Sequence, residues 1–129
     1  MGLFSRNKKE SSERTGLPWN QLTSIEQLRS ILTPPLEKPV LLFKHSTRCG
    51  ISTVNLNAFE KTWSSGNELC DIYYLDLLNH RDVSNEIASL TGVVHQSPQV
   101  IVLKGSEVIY DASHSSIDAR KIESLLKKG

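Results

Sequence analysis

The feature that most constrains the fold is an uninterrupted apolar run, PVLLF, at residues 39–43. A strand with one face in water alternates apolar and polar side chains, whereas a strand that is covered on both faces is apolar throughout. The run is also far shorter than the roughly 20 apolar residues of a membrane-spanning helix. It therefore predicts a central strand in a sheet that helices cover on both sides.

The segments on either side of this strand alternate between helical and extended patterns. Apolar spacing predicts helices in SIEQLRSIL, GISTVNLNAFEKTW, RDVSNEIASLTG and SIDARKIESLLKK, and strands in PWNQL, LCDIYYLDL, PQVIVL and EVIYDAS. The last two strands are separated only by Lys104, Gly105 and Ser106, which is typical of a hairpin, and right-handed crossovers make the first two main strands parallel. The sequence thus predicts an α/β fold with a mixed central sheet of four to five strands flanked by helices.

The amino-terminal segment differs in composition from the rest of the chain. Residues 1–16 are polar and almost free of apolar side chains after Phe4, so we expect a flexible tail, followed by a single domain over residues 17–129. The net charge of +1 gives no reason to expect binding to nucleic acid or to a membrane surface. The start, MGLFSRNKKE, lacks the apolar core of a secretory signal. The expected location is therefore the cytoplasm, where cysteines stay reduced. Separately, we expect the protein to be a monomer.

Cys49 directly follows the central strand and stands at the start of the next predicted helix. A helix amino terminus stabilises a thiolate, and nearby cations add to the effect. The candidate cations are the neighbouring basic residues Lys44, His45 and Arg48. The alternative is that Cys49 is an ordinary small buried side chain and that its basic neighbours are solvated. The residues around Cys49 leave both interpretations open.

Other residues of this stretch bear on the chemistry. Ser46 or Thr47 can cap the helix, and Gly50 leaves room for a substrate next to the sulfur. Ser52, one turn further, can donate a hydrogen bond to a thiolate, but it cannot attack a mixed disulfide as a second cysteine does. If Cys49 is reactive, its reaction therefore stops at a mixed disulfide that another thiol has to release.

The second cysteine, Cys70, is expected at the start of the strand LCDIYYLDL. If this strand runs parallel to the central one, Cys70 lies about 16 Å from Cys49, at the opposite end of the sheet. A disulfide requires Cα atoms within about 7 Å, so Cys70 is predicted to be structural rather than a resolving partner. The paired Cys and His spacing of a structural zinc site does not occur in the sequence, and no metal is expected.

Pro98 precedes the strand QVIVL and admits two interpretations. It is either a simple strand-start proline or a cis proline. A cis bond between Ser97 and Pro98 that faces Cys49 would expose the Ser97 backbone to an extended substrate. In that case the two residues form a wall of the substrate site.

The order of these elements resembles the thioredoxin fold over residues 19–128. The shared parts are a strand, a cysteine at the following helix start, a crossover helix, and a proline that opens a hairpin before the last helix. Within that fold, FKHSTRCGIS resembles the site of the monothiol bacilliredoxins of the bacillithiol system, a T-C-P-I-S motif, and FEK and SPQVIVLKG are also similar. Two positions depart from this motif, with Arg48 in place of Thr and Gly50 in place of Pro.

The resemblance implies a thiol–disulfide oxidoreductase that removes bacillithiol from protein mixed disulfides. Cys49 is then the nucleophile, which Ser52 and Arg48 tune. Lys44 and His45 are then the contacts of a carboxylate of the thiol. The implied partners are bacillithiolated proteins and the free low-molecular-weight thiol, with bacillithiol as a co-substrate and no tightly bound cofactor.

Two other functions stay open. The pair Cys49 and Gly50 is also similar to the C-G-x-S site of monothiol glutaredoxins, which bind glutathione and bridge an iron–sulfur cluster between subunits. Against that resemblance, the chain has Ser97 and Pro98 where the glutaredoxins have Thr-Val-Pro. The third function is that of a redox-inert adaptor with a thioredoxin fold, in which Cys49 is buried.

Overall fold

A computed structural model describes residues 17–128 of the 129-residue chain. The predicted flexible tail, residues 1–16, lies outside the described residues. The strands are β1 (Asn20–Gln21), β2 (Val40–His45), β3 (Asp71–Asp76), β4 (Gln99–Lys104) and β5 (Glu107–Ser113). The helices are α1 (Ile25–Ile31), α2 (Gly50–Thr62), α3 (Arg81–Thr91) and α4 (Ala119–Lys128), and a short 3₁₀ turn, His114–Ser116, follows β5.

The five strands form one mixed sheet in the order β1-β3-β2-β4-β5. Strands β1, β3 and β2 are parallel, whereas β4 is antiparallel to β2 and β5 is antiparallel to β4. The apolar run thus lies in the central strand, as its composition predicts. The α/β fold with a mixed sheet and flanking helices is confirmed, with five strands.

Strand β2 divides the core into two clusters because all six of its residues are buried and alternate between the faces of the sheet. On one face, Leu41 and Phe43 pack with residues of α2 and α4 and with Trp63, which directly follows α2; the helical residues include Leu56, Phe59, Ile122 and Leu126. On the other face, Val40 and Leu42 pack with residues of α1 and α3, among them Leu28, Val83 and Ile87. Both faces of β2 are therefore covered by helices.

The helix ends follow the expected chemistry in two cases and differ in a third. Ser24 caps α1, since its hydroxyl accepts a hydrogen bond from Gln27 N at 3.0 Å, and Gly92 ends α3 with a φ of 76°. The predicted capping of α2 by Ser46 or Thr47 is wrong. The chain makes a further turn before α2, so the N-cap position falls on Cys49 itself.

Several strands end or begin at one edge of the sheet, the edge that runs across the strands rather than along an outer strand. Strands β2 and β3 end there at His45 and Asp76, which are paired, and β4 begins there at Gln99, which pairs with Lys44. Because α2 starts directly after β2, Cys49 lies at the same edge. We call it the Cys49 edge. No helix among residues 17–128 is long and apolar enough to cross a bilayer.

Candidate active site around Cys49

Cys49 occupies the N-cap position of α2 and is partly exposed. Its N–H donates to the Ser46 carbonyl at 3.1 Å, and its own carbonyl accepts from the N–H of Thr53 at 3.1 Å. The Cys49 side chain makes no capping hydrogen bond, so the sulfur is not consumed by the helix end. The N–H groups of the first helical turn have no partner within the helix, and they face the end of α2 at which Cys49 stands.

The residues on either side of Cys49 leave the sulfur approachable. Arg48 and Gly50 are exposed. Apart from its chain neighbours and its own helix backbone, a Cβ atom added at Gly50 would meet no atom within 4 Å, so the space around Gly50 is open. This arrangement contradicts the interpretation of Cys49 as a fully buried side chain.

Ser52 is fully buried, and its hydroxyl faces the end of β2. The Ser52 Oγ atom lies 2.7 Å from His45 Nδ1 and accepts a hydrogen bond from Ser46 N at 3.2 Å. The sequence suggested that this hydroxyl bonds to the Cys49 sulfur, but in the structure it joins the strand end to the helix. Ser52 therefore positions the segment that carries Cys49.

Lys44 and His45 are buried, whereas the sequence left open that these basic side chains are solvated. Their exposed fractions are 0% and 3%, because β2 continues through both residues and directs their side chains to opposite faces of the sheet. Burial lowers the pKa of Lys44 to about 8. Within residues 17–128 the Lys44 Nζ atom has no hydrogen-bond partner. The two side chains therefore cannot form one joint contact to a substrate carboxylate.

Ser97 and Pro98 lie at the start of β4, at the Cys49 edge. The peptide bond between them is cis, and Pro98 is buried, with its carbonyl accepting from the His114 N–H at 3.0 Å. Ser97 is half-buried, and its Oγ atom is buried without a hydrogen-bond partner in the described part of the chain. His114 is the one non-glycine residue with positive φ, 55°, among residues 17–128.

Several polar residues of this edge were missed by the sequence analysis. Ser84, on α3, is buried and its Oγ atom lies 3.2 Å from Nδ1 of His95, which precedes Pro98 by three residues. The Gln99 side chain fastens the same segment, since it donates to the Val94 carbonyl at 3.0 Å and accepts from Gln96 N at 3.3 Å. These contacts depend on how the chain folds back before β4, and no local sequence signal indicates them.

Cys70 lies at the opposite end of the sheet. It immediately precedes β3, whose first residue, Asp71, pairs with Val40 at the start of β2. Cys70 is fully buried, and burial together with the neighbouring Asp71 carboxylate raises the pKa of its thiol to about 12. The two cysteines are both free thiols. Cys70 is thus too distant to resolve a disulfide on Cys49.

The comparison with protein families covers the region that contains this site. The family model of the monothiol bacilliredoxin BrxC matches residues 20–122. The chain belongs to the monothiol bacilliredoxin family. The matched region of this bacilliredoxin-family chain includes Cys49, Ser52 and Pro98. Among residues 17–128, no group of three or more His, Cys, Asp or Glu side chains is placed to hold a metal ion.

Solved structures confirm the thioredoxin-like fold of this bacilliredoxin-family chain. A thioredoxin-fold protein provisionally described as an oxidoreductase is 31% identical, with a TM-score of 0.67, over 81% of this chain and 89% of that one. Thioredoxin from Schistosoma mansoni is 19% identical, with a TM-score of 0.63, over 85% of this chain and 94% of its own. Mitochondrial thioredoxin 3 from Saccharomyces cerevisiae is 14% identical, with a TM-score of 0.63, over 86% of this chain and 95% of its own. The family and the fold together support a thiol oxidoreductase type of function.

Proposed function

We propose that this chain is a monothiol thiol–disulfide oxidoreductase that removes bacillithiol, or a similar low-molecular-weight thiol, from protein mixed disulfides. The observation that carries the proposal is the isolation of Cys49. Its side chain stands partly exposed at the N-cap of α2, while Cys70 is buried at the other end of the sheet. A site with one accessible cysteine can accept a thiol but cannot form an internal disulfide.

The proposed reaction consists of two exchange steps. The Cys49 thiolate attacks the bacillithiol sulfur of a protein mixed disulfide, the new disulfide between Cys49 and bacillithiol forms, and the protein sulfur leaves as a thiolate that takes a proton from water. The thiolate of a second bacillithiol then attacks the bacillithiol sulfur of the adduct. This step releases Cys49 and forms bacillithiol disulfide, so two electrons pass from free thiol to the protein substrate.

The residues near Cys49 have distinct roles in this proposal. The free N–H groups at the start of α2 and the Arg48 guanidinium favour the sulfur anion, and the open space at Gly50 admits the substrate. Ser97 and Pro98 form a wall of the substrate site. The reaction requires reduced thiols, so we place it in the cytoplasm.

The experiment that tests the function is intact-mass analysis after brief exposure to two matched peptide mixed disulfides, one carrying bacillithiol and one carrying glutathione. We expect a single adduct, formed preferentially with bacillithiol. Cys49→Ser should form no adduct. Cys70→Ala is the matched control and should form as much adduct as the unaltered chain.

The other outcomes identify the alternatives. A preference for the glutathione donor would favour the glutaredoxin-like function, which also predicts a brown dimer with bound glutathione after purification without oxygen. No adduct from either donor would exclude an exchanger and favour the redox-inert adaptor.

A further inference from the structure

Two buried polar groups at the Cys49 edge lack a partner. The Nζ atom of Lys44 and the Oγ atom of Ser97 are enclosed, and neither has a hydrogen-bond partner within residues 17–128. Buried polar groups are normally paired, and an enclosed ammonium is especially unfavourable without a counter-charge. The pair of orphaned donors therefore points to an acceptor that residues 17–128 do not supply.

The two groups lie at the same place in the sheet. Lys44 pairs with Gln99, the first residue of β4, and Ser97 precedes Gln99 by two residues. Both donors are therefore at the Cys49 edge, next to Pro98. An acceptor between them would lie at the same end of the sheet as Cys49, within the region that a substrate bound to Cys49 can extend across.

The surroundings of Lys44 carry positive charge. Partial desolvation lowers the pKa of His95, and the charges of Lys44 and Arg81 lower it further, so both cations lie near this imidazole. Neither Lys44 nor Arg81 forms an ion pair with a carboxylate among the described residues. We call the group of Lys44, Ser97, His95 and Arg81 the Lys44 site.

The Lys44 site lies close to solvent on one side. His95 is exposed, and so are its neighbours Val94 and Gln96, although the ammonium beneath them is enclosed. The electrostatic effect of Lys44 on His95 places this exposed segment near the ammonium. A ligand at the Cys49 edge can reach the ammonium if the segment makes room for a group as small as a carboxylate.

We propose that the Lys44 site binds a carboxylate of the low-molecular-weight thiol in the mixed disulfide. The Lys44 ammonium and the Ser97 hydroxyl can each donate a hydrogen bond to one oxygen of a single carboxylate, and the positive charge of the site favours an anion. This inference rests on the proposed exchange function and adds the chemical class of thiol that the site selects. A thiol without a carboxylate would leave both donors unpaired.

The test compares two donors that differ only in charge. Neutral peptides carrying 3-mercaptopropionate or 3-mercaptopropionamide as mixed disulfides are offered, and each exchange rate is divided by the uncatalysed rate. The unaltered chain should prefer the carboxylate donor roughly tenfold, the size of one charge-assisted hydrogen bond. Lys44→Met should lose the preference, and Ser97→Ala should reduce it.

Lys104→Met is the matched control, since Lys104 lies at the far end of β4. It should keep the preference of the unaltered chain. Because the readout is a ratio within one protein, a variant that is partly unfolded changes both rates and leaves the ratio intact. Equal rates for the two donors, or a preference that survives in Lys44→Met, would overturn the proposal.

A second measurement separates failure of the exchange function from failure of the Lys44 site. If neither donor reacts, the thermal unfolding midpoint is measured with added acetate and with added acetamide at equal ionic strength. Acetate should raise the midpoint of the unaltered chain and not that of Lys44→Met. The same response in both proteins would overturn the site independently of Cys49.

Discussion

The Nδ1 atom of His45 lies 2.7 Å from the Oγ atom of Ser52, so the last residue of β2 is tied to the first turns of α2. The Ser46 N–H donates to the same hydroxyl at 3.2 Å. The short segment that carries Cys49 is therefore held from both sides by one buried side chain. Ser52, which stands where a second cysteine would, therefore fixes the geometry of the segment around Cys49.

Replacing Ser52 with Ala removes both of these contacts. We expect the free energy of unfolding to fall by about 1–3 kcal/mol, because buried polar groups lose their partner. Alkylation of Cys49 at neutral pH should also slow severalfold, because the segment around it is no longer fixed. Ser84→Ala, which deletes a buried hydroxyl on α3, is the control. Loss of stability without slower alkylation in Ser52→Ala would show that Ser52 supports the fold alone.

Replacing Lys44 with Met should stabilise the protein in buffer that contains no carboxylate. Burial lowers the pKa of Lys44 from its ordinary 10.5 to about 8, so folding opposes the charged form. Below pH 8 this penalty is complete and corresponds to about 3 kcal/mol, and it diminishes as the pH rises from 8 to 10.5, where the unfolded lysine also loses its proton.

Urea unfolding of both proteins between pH 6 and pH 10 checks this expectation. The advantage of Lys44→Met should be greatest at the acidic end and should shrink above pH 8. Taking the difference between the two proteins removes the contributions of their other titrating groups. An advantage that is constant with pH would mean that packing, rather than charge, causes it.

The two cysteines should differ sharply in alkylation. Cys70 is fully buried and the pKa of its thiol is raised to about 12, whereas Cys49 is partly exposed at a helix start. Brief treatment with iodoacetamide at neutral pH should therefore add one group to the folded protein, on Cys49. In denaturant the mass should increase by two groups. Labelling of Cys70 in the folded state would mean that the core opens at the start of β3.

Glu123 should stabilise the protein without affecting exchange. It is buried, which alone would raise its pKa, but hydrogen bonds from Ser65 and Ser64 outweigh burial and lower it. Its carboxylate accepts from Ser65 Oγ at 2.7 Å and from Ser64 N at 2.8 Å. A carboxyl group whose pKa is lower in the folded than in the unfolded chain stabilises the fold at pH values above its unfolded-state pKa. This stabilisation is lost as the pH falls through its folded-state pKa.

The variant Glu123→Gln measures this contribution. Its free energy of unfolding at pH 7 should be lower by about 1–3 kcal/mol, and the difference from the unaltered chain should close as the pH falls below about 4.5. The rate of exchange at Cys49 should stay the same because Ser64 and Ser65 follow the distant end of α2. A slower exchange in Glu123→Gln would show that a change at the carboxyl end of α2 affects Cys49 at its amino end.

The sequence predicts the fold well wherever a pattern is long and periodic. The apolar run of β2 demands cover on both faces, and the helical stripes provide it, so the mixed sheet follows. The position of Cys49 also follows, because a strand that leads directly into a helix leaves the intervening residue at the edge of the sheet.

The same patterns fail where a polar side chain lies inside the sheet. Lys44 and His45 come after the apolar run, and their polarity suggests solvated side chains, yet the strand continues through both and buries them. The pairing of Lys44 with Leu75 and Gln99 keeps it in the ladder. Likewise, the contact between Ser84 and His95 depends on two segments that meet only after the sheet has formed. Local composition carries no information about such partners.

The distance between the two cysteines also has a kinetic consequence. A second cysteine in the same site acts at an effective concentration set by the fold, so its release step does not depend on the surrounding solution. Here Ser52 occupies that place and Cys70 lies at the other end of the sheet, so any thiol that frees Cys49 must arrive by diffusion. In the proposed cycle, the rate of release is then proportional to the concentration of free thiol. The time that the protein spends as an adduct thus measures how much reduced thiol the cell has left.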